Sequence, residues 1–436
     1  MRLALTLALA LCAAPVWAQS SETDCDRLAG YVHTPRQPGF AGAPFIADPV
    51  AAIAACEAAT RAAGADPFLA FLLARAYQAA DPQDPRLVNL IAQGAAASAS
   101  FAASRLGILH AEGTGGLVAD AARAQELARE GCAAFPDPRA LAGCNNLAAD
   151  LDGPEALDLF ARNCDAGFGL SCSNLADRMR DMPPPADDPV RQVALNDRAC
   201  ALGDPFGCAA AGYARETGTG IVTDLPGAFA LYARACDEGE GYGCLAQGLM
   251  LAEGTGVAAA DWAQAQQVLA RGCTLGSDDA CHERALGLMY GEDHVGVDGT
   301  PEDQAEAAAE FERLCAANHG LACADMGYLT RQGAFFAQDT HRALGFHLRS
   351  CALGAGAGCN NLGVHYARGE GVGADLQNAA RYYAQGCDLG SVLGCLNLAD
   401  LLESGDLGRA DPAGAQLRLT QACAMGLHEA CDRVTP

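Results

Sequence analysis

The sequence predicts an all-α protein, a solenoid of disulfide-clamped helical hairpins, on three observations. Cysteines recur as C-x7-C at Cys164/Cys172, Cys200/Cys208, Cys236/Cys244, Cys273/Cys281, Cys315/Cys323, Cys351/Cys359, Cys387/Cys395 and Cys423/Cys431, mostly in steps of 36 residues. That period belongs to helical-hairpin arrays. Twelve residues before each first cysteine stands an aspartate, Asp152, Asp188, Asp224, Asp261, Asp303, Asp339, Asp375 or Asp411, the residue type that caps the free amides of a helix start. Three residues after it stands Gly167, Gly203, Gly239, Gly276, Gly354, Gly390 or Gly426, with Asn318 in the remaining repeat; these residues tolerate the left-handed conformation that closes a helix.

These positions set the unit. The first cysteine lies in the last turn of a helix of about twelve residues, and the second lies in the first turn of the next. Four residues after the second cysteine the side chain is small (Ala176, Gly212, Gly248, Ala285, Gly327, Gly363, Ala399), which permits close helix crossing, and Gly218, Gly254, Gly291, Gly333, Gly369 and Gly405 mark the end of that helix. The disulfide clamps the hairpin at its tight turn.

In chain order, residues 1–18 read as a signal peptide: one basic residue, an apolar run too short to span a bilayer, and a Val16-x-Ala18 exit. Cleavage removes Cys12 and leaves an even number of the 21 cysteines, which argues for disulfides in an oxidising compartment, periplasmic or extracellular. Residues 19–82 form a helical cap in which Cys25 pairs with Cys56. This pins a Pro- and Gly-containing stretch, Thr34 to Pro49, onto a helix beginning near Asp48, and a further helix follows from about Pro67 to Ala79. A cap covers the apolar end that a solenoid otherwise exposes.

The array occupies residues 83–436. Its first repeat has no cysteines, with Ala95 and Ala103 at the bridge positions; the next pairs Cys132 with Cys144 across a lengthened turn near Phe135; the eight regular units follow. Two loops depart from the pattern: Asp181 to Pro189, stiffened by prolines, and Gly291 to Asp303, whose acids and His294 lack the ligand spacing of an EF-hand. Both read as solvated connections.

The net charge is −25 and lysine is absent, which excludes nucleic acid and anionic membrane surfaces as partners, because phosphate binding needs a basic face. No second apolar stretch is long enough for a membrane span. Zinc sites favour cysteines roughly two to four residues apart with further ligands nearby, so neither metal nor cofactor is expected. Paired acids such as Asp187/Asp188 and Asp278/Asp279 read as capping groups. His347 and His110 fall at apolar registers and read as packing, and no Ser/His/Asp constellation shows.

The pattern A-x6-AC-x2-G-x3-GC-x3-[GA], with loops such as "GTGVAAAD" and "GEGVGAD", resembles the SEL-one-like repeat family, and the paired cysteines resemble its branch typified by the Helicobacter cysteine-rich proteins. The resemblance covers about Asp84 to Cys431. The stretch "CDRLAG…DPVAAIAACEAA" is also similar to one that precedes such repeats in exported bacterial proteins.

The resemblance implies a right-handed α-α superhelix, related to tetratricopeptide arrays, with a groove that binds peptides or proteins. With the second helix facing that groove, the position two after its cysteine forms a stripe: Asn146, Asn174, Ala210, Ala246, Glu283, Asp325, Asn361 and Asn397. Asparagines and acids so spaced either hydrogen-bond an extended peptide or satisfy first-turn amides and water.

Three functions stay open. The first is a non-enzymatic scaffold binding a peptide, a protein or a cell-wall component. The second, implied by resemblance alone, is a binder or weak hydrolase of β-lactams or peptidoglycan fragments. The usual serine β-lactamase motifs need lysine, which this chain lacks, and a zinc enzyme needs clustered histidines. The third is a purely structural envelope component.

Overall fold

A computed structural model of the chain describes residues 23–30, 46, 48–62, 66–137, 140–180, 182, 183, 187–291, 299–333 and 337–434. The expected signal peptide, most of the Thr34–Pro49 stretch and His294 lie outside the described residues, as does part of each irregular loop. All elements among the described residues are helices, and they fall into two compact units, Met1–Val222 and Thr223–Pro436.

The first unit holds α1 (Asp24–Ala29), α2 (Pro49–Arg61), α3 (Leu69–Ala80), α4 (Arg86–Gly94), α5 (Ala99–Glu112), α6 (Ala121–Cys132), α7 (Leu141–Ala149), α8 (Gly153–Asp165), α9 (Gly169–Arg180), α10 (Pro189–Ala201) and α11 (Pro205–Thr217). The second holds α12 (Leu225–Asp237), α13 (Gly241–Glu253), α14 (Trp262–Thr274), α15 (Asp278–Tyr290), α16 (Pro301–Ala316), α17 (Gly320–Gln332), α18 (Thr340–Ala352), α19 (Gly356–Arg368), α20 (Leu376–Asp388), α21 (Val392–Ser404), α22 (Pro412–Ala424) and α23 (His428–Arg433).

Local chemistry sets the boundaries. Asp120, Asp188, Asp224, Asp261, Asp339, Asp375 and Asp411 each accept a hydrogen bond from a first-turn backbone amide. Asp152 takes the N-cap position of α8 without such a bond. Asp303 departs from expectation. α16 runs for 16 residues instead of 13, so its cap is Thr300, and Asp303 sits three residues inside as the reciprocal partner of a capping box. At the tight turns the seven glycines and Asn318 all adopt positive φ, between 72° and 96°.

All ten expected disulfides are present. Cys25–Cys56 ties α1 to α2, and Cys132–Cys144 spans the lengthened turn between α6 and α7. The regular pairs are Cys164–Cys172, Cys200–Cys208, Cys236–Cys244, Cys273–Cys281, Cys315–Cys323, Cys351–Cys359, Cys387–Cys395 and Cys423–Cys431. Each regular bond therefore closes a nine-residue loop.

The cysteines serve as expected, as disulfide partners. Cys25, Cys56, Cys144, Cys172, Cys208, Cys244, Cys323, Cys359 and Cys395 have 0% of their surface accessible. Their sulfurs are sealed between the two helices of a hairpin and already bonded, so they cannot touch a ligand. Their role is confined to holding the fold.

In the cysteine-free repeat, apolar packing takes the place of the bond. Phe71 and Phe101 meet edge to face at 4.8 Å, Phe68 stacks on Phe101 at 6.0 Å, and Gly94 lies flat against the Phe71 ring.

Between repeats, the glycine four after the second cysteine on α13, α17 and α19 receives a large side chain from the following first helix. A Cβ added to Gly363 would stand 2.4 Å from the Tyr383 ring, one on Gly327 2.4 Å from His347, and one on Gly248 2.7 Å from Leu269. The side chains received are large and buried: His347 has 0% of its surface accessible, Leu269 2% and Tyr383 6%. Second helices also touch one another directly, α5 on α7 and α9 on α11 in the first unit, and α13 on α15, α17 on α19 and α19 on α21 in the second. Among the described residues, no helix is long and apolar enough to cross a membrane.

Candidate binding face

On each second helix, the residues two before, two after and five after its cysteine are spaced i, i+4, i+7 and share one face. Cysteine and the small residue point the opposite way, into the hairpin and the next repeat. The shared face is thus the one the stack leaves open. In the second unit it reads Tyr242, Ala246, Leu249 on α13; Asp279, Glu283, Leu286 on α15; Leu321, Asp325, Tyr328 on α17; Ala357, Asn361, Val364 on α19; and Leu393, Asn397, Asp400 on α21. In the first unit, the corresponding face of α11 carries Phe206, Ala210 and Tyr213.

The flanking positions expose large apolar groups: Tyr242, Leu249, Leu321 and Tyr328 are 37–44% accessible and Leu393 56%, while Phe206 reaches 60% and Tyr213 50%. Sequence reasoning singles out only the central position. The signal for the others was their phase, seven residues apart on a helix whose opposite side is already committed to cysteine.

The central residues are half-buried, apart from the buried Ala246. They do not serve first-turn amides, which Glu240, Ser277, His319 and Ser391 cap on their own helices. Most of them reach a neighbouring helix. Asn146 Nδ2 donates to Ser104 Oγ (3.3 Å) and Asn174 Nδ2 to Asn145 Oδ1 (3.0 Å). Asp325 Oδ2 meets His282 Nε2 (2.7 Å), Asn361 Nδ2 meets His347 Nε2 (3.3 Å), and Asn397 Nδ2 donates to Asn360 Oδ1 (2.8 Å). Glu283 Oε1 lies 3.8 Å from His282 Nδ1. Three of these contacts repeat one rule: the residue two after a cysteine binds the residue one after the cysteine of the preceding second helix.

His282 is buried between Asp325 and Glu283, with its ring against Phe311 and His319. Burial by itself lowers its pKa, but the hydrogen bonds and charges of the two carboxylates outweigh it and hold the pKa at about 9. The folded value stands above the unfolded one of about 6.5. The resulting stability is therefore fully present below about pH 6.5 and is lost as the pH rises through about 9. Guanidinium unfolding should show up to about 3 kcal/mol lost across that window. In His282→Gln the loss should vanish; an unchanged slope would remove His282 as its source.

Burial and the neighbouring His365 push His347 down to about 3, and burial lowers His365 as well. The two rings meet at 3.0 Å between His347 Nδ1 and His365 Nε2. His365 Nδ1 faces the Glu370 carbonyl at 2.7 Å, which can only accept, so that nitrogen carries the proton. His365 Nε2 then accepts from His347 Nδ1, and His347 Nε2 accepts from Asn361. Packing is thus His347's role, as its register implied, joined to a polar one that sequence spacing hid. His110 is half-buried.

Among the described residues, the grouping able to offer three or more metal-ligand atoms is Cys273, Cys281 and Glu310. Its two sulfurs are already joined to each other.

The Sel1 repeat family model matches residues 100–134, 205–240, 320–354 and 356–391. The chain carries Sel1 repeats. The matched segments start on second helices or just before them and run into the following hairpin, so the Sel1 unit and the disulfide-bounded unit are offset views of one period. Among solved structures, the chain is similar to c5321, described as a protective antigen of uropathogenic Escherichia coli displaying an SLR fold, at 17% identity and a TM-score of 0.51 over 87% of this chain and 80% of that one. This likeness shows the fold. It is also similar to a Sel1 repeat protein from Oxalobacter formigenes (19% identity, TM-score 0.48, 58% of this chain and 96% of that one). A third similar structure is Helicobacter pylori cysteine rich protein B (27% identity, TM-score 0.25, 29% and 90%). No curated protein matches the chain.

Proposed function

We propose that the protein is an exported binding scaffold that engages a protein or peptide through the open face of its second-helix row. One observation carries this reading. Exposed tyrosines and leucines stand at a fixed phase on α13, α17 and α21, and on α17 and α21 they flank the half-buried polar residues Asp325 and Asn397. Apolar side chains left open in register are what a partner surface supplies with burial. The polar residues between them are already oriented by bonds to neighbouring helices, so little ordering entropy remains to be lost on binding. Ten disulfides support an oxidising, extracytoplasmic setting, and the apolar leader supports export into it. No observation favours the β-lactam or peptidoglycan alternative.

Capture from an envelope extract tests the reading. The oxidised protein should retain a saturable protein partner, and Leu321→Ser/Tyr328→Ser should lose it at least tenfold while its thermal unfolding stays unchanged. Equal capture by both proteins, or none by either, would overturn the proposal.

A further inference from the structure

In each unit, hydrogen-bond networks orient the asparagines of these faces so that acceptor oxygens stay outside the network beside the remaining amide hydrogens. In the first unit, Asn163 Nδ2 donates to the Leu141 carbonyl and to Ser171 Oγ. Ser171 must then donate to Asn145 Oδ1, which leaves Asn174 to donate its amide there and turn its own Oδ1 away. In the second unit, the Glu370 carbonyl orients His365, then His347, then Asn361. Asn361 Oδ1 accepts from Asn360, whose own oxygen accepts from Asn397, so Asn397 Oδ1 is again the atom left over. Glu283 and Asp325, on α15 and α17 of the second unit, are acceptors whenever ionised.

We propose, resting on the binding-face reading above, that the second unit's face takes an extended segment bearing Arg or Lys side chains alternating with apolar ones. Leu321, Tyr328 and Leu393 receive the apolar side chains, and Glu283, Asp325 and Asn397 receive the cationic groups. Charge complementarity selects this occupant. The side chains of Glu283 and Asp325 keep 29% and 24% of their surface; the buried His282 between them offsets one of their two charges, and the nearby arginines do not take the other, Arg284 pairing with Glu306 and Arg331 with Glu370. A chain of net charge −25 adds a long-range field that steers a basic segment and repels an acidic one.

Fluorescence anisotropy on the oxidised full chain tests this with three labelled dodecapeptides, alternating Arg-Leu, Ser-Leu and Glu-Leu. Arg-Leu should bind at least tenfold more tightly than Ser-Leu, and Glu-Leu should not bind. Glu283→Gln/Asp325→Asn should weaken Arg-Leu at least tenfold, whereas removing two exposed charges off the face, Glu302→Gln/Asp406→Asn, should change it less than twofold. Equal losses in both variants would reduce the effect to bulk charge and overturn the proposal. Equal binding of all three peptides, abolished by Leu321→Ser/Tyr328→Ser, would overturn the cationic assignment and leave the binding face standing. Binding by none of them would count against both.

Discussion

Reducing the protein under otherwise native conditions should unfold it. In the chain-entropy account, a disulfide that closes a nine-residue loop contributes about 2.5 kcal/mol, and a natural domain has only about 5–15 kcal/mol in hand. Loss of all six clamps of the second unit, about 15 kcal/mol together, therefore equals the whole of what a stable domain has in hand. Neighbouring hairpins share the loss, because a repeat array is stabilised by each unit and by its contacts with adjacent ones. One pair removed alone, Cys351→Ala/Cys359→Ala, should lower the unfolding free energy by about 2–3 kcal/mol. Far-ultraviolet circular dichroism with and without reductant reads both effects. A reduced protein that keeps its helical signal and its melting temperature would show that packing alone holds the hairpins.

The contact between repeats carries the second large effect. Tyr383→Ala should destabilise by about 3–5 kcal/mol, since it empties the site formed against Gly363. Gly363→Ala should cost about 1–3 kcal/mol by driving a methyl group into the ring. The two changes together should cost less than their sum, because the new methyl enters space the ring has vacated. Guanidinium unfolding of the four proteins measures the coupling. Strict additivity would mean that these side chains do not share the site.

The contrast between legible and illegible features follows from their range. Asp224 caps α12 and Asn318 closes α16 through bonds made within a few residues, so local sequence states them. The disulfides were legible because each joins cysteines that are consecutive along the described chain. Less legible was how completely the second cysteine of a hairpin, such as Cys172 or Cys359, is shut away from solvent, since that depends on the neighbouring repeats. Asp303 was misplaced because the insertion before it lengthened α16 by a turn and supplied Thr300 as a better cap. His282 with Asp325 and His347 with His365 meet across helices, 43 and 18 residues apart. Their repeat phases were available, but not the distance between helices that turns phase into contact. The open face was half legible: its central residues stood out as polar, whereas Leu321 and Tyr328 were indistinguishable from core until the packing showed which side remained uncovered.

Consecutive pairing also orders the protein's maturation. On the export route proposed above, a chain threading outward from its N-terminus delivers both members of every regular bond within nine residues of each other, before any later sulfur has emerged. Nearest partners are also the ones whose encounter loses the least chain entropy. Each clamp can therefore close behind the advancing chain, and correct connectivity is written into the sequence of arrival.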